Sequence, residues 1–164
     1  MDKCTMAILG CAVSLASAPA WTHGEASSKS KSPAMVETSF GKTGEAHHVN
    51  RTIVVQMSDR MRFMPSTIKV TQGETIHFDV RNSGQVLHEM VLGTMDELKH
   101  HAELMRKFPG MEHDEPYQAH VPPGKRIDMI WQFTNAGNYL YGCLVPGHFE
   151  AGMVGRIEVV PRPK

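Results

Sequence analysis

The chain has 164 residues, with 17 basic and 17 acidic side chains and a formal net charge of zero. That length fits about one domain, and the balanced charge gives no electrostatic reason to expect nucleic acid or an acidic membrane surface as the main partner. No stretch is long and apolar enough to give the mature protein a membrane-spanning helix.

Met1-Asp-Lys3 is a basic start, Thr5 to Leu15 is a short apolar run, and Ala18-Pro-Ala20 supplies small residues at a cleavage site. The pattern predicts a signal peptide over residues 1–20 and an exported protein. Cleavage is expected after Ala20, because a cut after Ala18 would put Pro19 directly behind the scissile bond. A membrane anchor would need a longer run, and a lipoprotein signal at Cys11 would need more hydrophobic sequence before the cysteine. Cleavage removes Cys4 and Cys11 and leaves Cys143 alone. A lone thiol in an oxidising compartment is either a hazard or a ligand, and the neighbours of Cys143 favour the ligand over an inert buried cysteine.

Residues 21–50 are rich in Ser, Lys, Gly, Thr and Glu and read as a flexible leader. Its His23, His47 and His48 fit solvated tail residues better than loose metal collectors. The folded domain is expected over 51–164. Thr52–Met57 has the β-branched content of a strand, Ser58-Asp59-Arg60 a turn, Met61–Pro65 irregular chain, and Ser66–Val70 a second strand. Thr75–Val80 alternates, with Ile76, Phe78 and Val80 inward and His77 and Asp79 outward, so His77 reads as a solvent-facing residue. Asn82-Ser-Gly84 turns the chain into a strand over Val86–Leu92.

The period then changes. Thr94 and Glu97 form a capping box, and Leu98, Ala102 and Met105 share one face of a helix over 94–107, with His100 and His101 off that face. A polar loop over 109–120 ends at His120. Strands follow at Arg126–Phe133, Asn138–Tyr141 and Val154–Val160. Short strands separated by turn signals predict an all-β, Greek-key β-sandwich with one inserted α-helix.

Between the last two strands, Cys143, His148 and Met153 recur every five residues. Thiolate and thioether are soft ligands and imidazole is intermediate, which favours copper over magnesium or calcium; two His, one Cys and a weak axial Met are the ligands of a type 1 (blue) copper site. His88, on an apolar strand far upstream, is the best second imidazole. Met90 on the same face reads as core. Zinc is the weaker reading, since it seldom uses Met and a closed zinc site would want another Cys or His.

The order His88…Cys143-x4-His148-x4-Met153, with Phe63-x-Pro65-x-x-Ile68-x-Val70-x-x-Gly73-Glu74-Thr75 before it, resembles the cupredoxins over about residues 50–161. The stretch from His88-Glu-Met-Val-Leu-Gly to Phe108-Pro-Gly-Met-Glu-His-Asp-Glu-Pro116 is similar more particularly to the CopI-type cupredoxins of bacterial copper tolerance. The resemblance implies a periplasmic protein with one type 1 copper held by His88, Cys143, His148 and Met153. It departs from azurins in having one residue more between the second His and Met, and from plastocyanins in having two more between Cys and His. Glu89 also stands where many cupredoxins carry Asn or Ser.

Four protein ligands leave no obvious open position for a substrate, so one-electron exchange is expected rather than catalysis. Leu144-Val-Pro146 and Phe149 around His148 fit either a docking patch for a transient redox partner or loop residues packed over the metal. Copper tolerance follows from the resemblance; a dedicated electron carrier is the alternative, as is copper sequestration without a redox role. Weak extra sites at Met111, His113 and His120 or at the leader histidines would suit sequestration. Met57, Met61, Met64, Met95, Met105 and Met129 fit gap-filling roles as well as metal binding.

Overall fold

A computed structural model describes residues 35–108 and 115–163. The signal peptide over 1–20 with its cleavage at Ala20, and His23, Met111 and His113, lie outside the described residues. Among the described residues, eleven strands and one α-helix run in the order β1 (Glu37–Thr38), β2 (Gly41–Thr43), β3 (Arg51–Ser58), β4 (Arg62–Met64), β5 (Thr67–Thr71), β6 (Thr75–Asn82), β7 (His88–Gly93), α1 (Met95–Lys107), β8 (Gln118–Val121), β9 (Arg126–Gln132), β10 (Gly137–Gly142) and β11 (Val154–Val160), with a 3-10 turn at Ala46–His48. They make two sheets, β1-β2-β9-β6-β3-β4 and β5-β11-β10-β7-β8. β3 and β6 pair parallel, as do β5 and β11; the other pairs are antiparallel.

Alternation drives the packing. Val55, Met57, Ile76, Phe78, Val80 and Trp131 from the first sheet share one core with Met90, Leu92, Tyr141, Ile157 and Val159 from the second. Each such side chain contributes roughly 1.5–3 kcal/mol by leaving water, which holds the two sheets together with no disulfide among the described residues. The second sheet has a further cover. Leu98 and Ala102 of α1 pack on Val91 and Leu144, which explains why β7 is buried on both faces along its whole length. The capping box starts this helix as expected: the Glu97 N–H donates to Thr94 Oγ1, and Thr94 N–H donates to Glu97 Oε2 at 2.7 Å.

Three segments differ from the sequence reading. Among the described residues the first strand is already at Glu37, inside the stretch expected as a leader, because Phe40 is buried against Trp131 and β2 adds to the edge of β9. Arg62–Met64, expected to be irregular, pairs with β3, and Gln118–Val121, expected to end a polar loop, pairs with β7. These strands are too short to show a period. Asp79 points outward yet is buried, since the guanidinium of Arg81 lies over it at 2.6 Å and Arg126 reaches it at 3.5 Å. His77 faces outward as expected, bonded to Thr52 Oγ1 at 3.0 Å and Asp128 Oδ1 at 2.8 Å. His100 is exposed but His101 is half-buried.

Candidate metal centre

The Cys143–Met153 loop is an extension of the β10–β11 ladder. Gly142 pairs with Val154, and beyond that pair the Cys143 N–H donates to the Met153 carbonyl at 3.1 Å. Met153 N–H donates in turn to His148 O at 3.0 Å, and His148 N–H to Val145 O at 3.0 Å. Backbone bonds thus tie together all three residues that the sequence spacing singled out. Gly152 turns at φ +87°, a left-handed conformation that favours glycine. Arg62 on β4 pins the same turn from outside, its Nη1 donating to the Ala151 carbonyl at 3.2 Å.

His88 arrives from a different direction. Asn82, at the end of β6, is buried and organises the turn into β7: its amide donates to the carbonyls of Val86 and Val121, both at 2.8 Å, while its Oδ1 accepts from the Gly84 N–H at 2.8 Å. Asp59, in the β3–β4 turn, accepts from the Gln85 N–H at 2.7 Å and from His88 Nε2 at 3.0 Å. A carboxylate only accepts, so His88 donates to it through Nε2, which leaves Nδ1 as its other ring nitrogen. That Nδ1 faces the Cys143 sulfur.

His88, Cys143 and His148 form one cluster, with their donor atoms all within 4.8 Å of one another. Sγ of Cys143 lies 3.2 Å from His148 Nδ1 and 3.9 Å from His88 Nδ1. An ion held by a thiolate at about 2.3 Å and an imidazole at about 2.1 Å would put sulfur and nitrogen roughly 3.7 Å apart. The observed pair of distances brackets that value, so the residues fit a metal. Met153 is fully buried at the foot of the loop.

The surroundings bear on ligand chemistry. Burial pushes the Cys143 thiol up to about 12, against which the Glu89 and Val145 N–H groups act in the opposite sense. To serve as a thiolate ligand, Cys143 would therefore have to give up this proton. Burial also lowers the pKa of His148, with His88 beside it acting in the same direction, which keeps the imidazole a lone-pair donor. The Glu89 N–H lies 3.4 Å from Sγ, so a backbone donor to the sulfur is present whatever the side chain at 89. That side chain turns away: buried Glu89 Oε2 pairs with His120 Nδ1 at 3.0 Å, and its Oε1 is buried without a hydrogen bond. Gln118 also contacts His120. His120, one of the residues considered for a weak extra copper site, is thus paired with Glu89.

Residues 48–160 match the plastocyanin/azurin family of copper-binding proteins. The chain belongs to this family. As a cupredoxin it is 49% identical over 123 residues to the copper-resistant cuproprotein CopI of Rubrivivax gelatinosus, covering 75% of this chain and 74% of that protein. It is 32% identical over 151 residues to the protein of the same name from Pseudomonas aeruginosa, covering 74% of this chain and 83% of that one. Its fold is like that of reduced auracyanin from Roseiflexus castenholzii, with a TM-score of 0.59 and 18% identity over 69% of this chain and 99% of that one. The cupredoxin assignment agrees with the donor set: the His88–Cys143–His148 cluster carries the thiolate and the two imidazoles of a single type 1 copper site.

The expected apolar patch around His148 divides in two. Leu144 is buried and packs with partly buried Phe149 in the cluster under α1, whereas Pro146 is exposed, as are Val86 and Leu87 just before His88. Asp59 is the residue that sequence reasoning missed at this centre. It sits in a polar turn 29 positions before His88, and no spacing rule links the two.

Proposed function

We propose that this protein is an exported copper protein of bacterial copper tolerance, working in the periplasm, in which His88, Cys143, His148 and Met153 hold one copper. The observation that carries the reading is the convergence of one cysteine sulfur and two imidazoles from two distant parts of the chain into a single, largely buried cluster. Met153 is the natural fourth ligand, since it is buried and its backbone bonds to both Cys143 and His148. Bound copper supplies one-electron chemistry between Cu(I) and Cu(II). The chain supplies the frame: two stiff sheets, a ligand loop closed by hydrogen bonds, and a carboxylate holding His88. A site so constrained suits both oxidation states with little movement.

Export is supported by the signal-like N-terminus, and no helix among the described residues is long and apolar enough to cross a membrane. The role in tolerance rests on the 49% identity to a copper-resistant cuproprotein. An electron passes to or from a soluble redox partner at the end where Val86, Leu87 and Pro146 are exposed beside the ligands. This is a binding and electron-exchange protein rather than an enzyme.

A deletion strain tests the role. It is expected to grow normally at low copper, to fail at high copper, and to be rescued by the wild-type gene but not by Cys143→Ser. A strain that tolerates copper like its parent but loses a respiratory activity would instead assign a dedicated electron carrier.

A further inference from the structure

Glu45, His47 and His48 form a second cluster of ligand-type side chains, with donor atoms all within 4.8 Å of one another. His47 Nε2 lies 3.0 Å from Glu45 Oε2 and His48 Nδ1 lies 3.4 Å from the same oxygen, while the two imidazole centroids are 4.0 Å apart. One carboxylate oxygen is therefore shared by two imidazoles. The side chains are open to solvent, at 71% for His47, 66% for His48 and 50% for Glu45.

The backbone beneath them is fixed. Residues 46–48 are a 3-10 turn, closed by the His48 N–H donating to Glu45 O at 2.9 Å. On one side Gly44 N–H donates to Ile130 O at 3.1 Å, and on the other Asn50 N–H donates to Thr75 O at 2.9 Å, so both flanks are bonded to the first sheet. The two histidines are part of the folded domain rather than a tail. The turn holds both imidazoles beside Glu45, which lowers the ordering cost of binding an ion there.

We propose that Glu45, His47 and His48 form a surface site for a divalent transition ion, with Cu(II) the preferred occupant. Two imidazoles and a carboxylate are borderline-to-hard ligands without sulfur, a set that suits Cu(II) and not Cu(I), and Cu(II) heads the divalent affinity order for such donors. Three ligands on an open surface leave positions for water, so the ion exchanges readily. The site is separate from the buried cluster. β6 begins at Thr75, bonded to Asn50 beside the turn, and ends at Asn82, which organises the turn into His88. Eight strand residues at about 3.3 Å each span roughly 23 Å between first and last Cα. The surface cluster can therefore take up Cu(II) without disturbing the buried one.

The test is a Cu(II) titration of the full chain followed by EPR, on wild type, on His47→Gln/His48→Gln, and on each of these carrying His23→Gln to remove the N-terminal imidazole. Wild type is expected to bind a further equivalent after the buried site is filled, with a tetragonal signal showing nitrogen coupling and no change in the visible band. The double substitution is expected to abolish that signal in both backgrounds while the visible band persists and reports an intact fold. Repeating the pair on Cys143→Ser protein keeps the readout separate from the buried site, so failure of one assignment is distinguishable from failure of the other. No nitrogen-coupled signal in wild type, or one retained at full strength by the double variant, would overturn the proposal.

Discussion

Asp59 Oδ1 sits 3.0 Å from His88 Nε2, and His88 Nδ1 sits 3.9 Å from the sulfur of Cys143, so a carboxylate in one turn sets the ring that faces the thiol. The Gln85 N–H bonded to Asp59 is the main reason that this carboxyl is held below its ordinary range, followed among the favourable contacts by His88 itself. A formal negative charge behind a metal-facing imidazole makes that ligand more basic and favours the more highly charged ion. Asp59→Asn keeps an acceptor but removes the charge. It is expected to retain the visible band and raise the reduction potential, while Asp59→Ala weakens copper binding about 10–100-fold. Redox titration and a competing chelator measure these; an unchanged potential in Asp59→Asn would show that the carboxylate only positions the ring.

Gly84 makes room for that carboxylate. A Cβ at this position would lie 2.7 Å from Asp59 Cγ and 3.2 Å from Asn82 Oδ1. Gly84→Ala is expected to displace Asp59, lower copper affinity in the manner of Asp59→Ala, and cost roughly 1–3 kcal/mol in the metal-free protein by overpacking. Urea unfolding with and without copper separates the two effects.

Beside the thiol, buried Glu89 relies on His120. His120→Ala leaves the carboxylate without that partner and is expected to destabilise the protein by roughly 1.5–3 kcal/mol. Glu89→Gln removes the charge and is expected to cost less. Because the donor to the sulfur is the backbone N–H of residue 89, Glu89→Gln also keeps the visible band. Loss of the band in that variant would assign the side chain a direct part in the site.

The outer face of the first sheet gives a pH dependence. The Arg81 side chain bonded to Asp79 holds its carboxyl below the ordinary value of 3.8, with charge from Arg81 and Arg126 acting in the same direction. The folded state thus binds this proton less readily than the unfolded chain. Its contribution to stability is complete above about 3.8 and is lost as pH falls through the lower folded value. Asp79→Asn is expected to flatten that part of the stability profile and leave the neutral-pH metal site untouched, as read by denaturation between pH 5 and pH 2.

How much of this was legible in the sequence depends on the length scale of each signal. The ligand loop is readable because Cys143, His148 and Met153 lie in one stretch whose spacing carries their chemistry, and α1 is readable from Thr94, Glu97 and the Leu98–Ala102–Met105 stripe. The long strands announce themselves through alternation at Ile76, Phe78 and Val80. The contribution of Asp59 does not, because it depends on where a turn lands after the chain has crossed between sheets. Nor does the ordering of His47 and His48: polar composition hides the fact that Phe40 is buried against Trp131 and brings β2 into the sheet. Short edge strands carry too few residues to express a period, and only the partner strand defines them.

The visible and EPR spectrum of the copper-loaded full chain tests the buried site most directly. An intense thiolate-to-copper band that reduction bleaches is expected, lost in Cys143→Ser and in His88→Ala and shifted but kept in Met153→Gln. An oxidised, copper-loaded protein that stays colourless, or a band that survives His88→Ala unchanged, would contradict it.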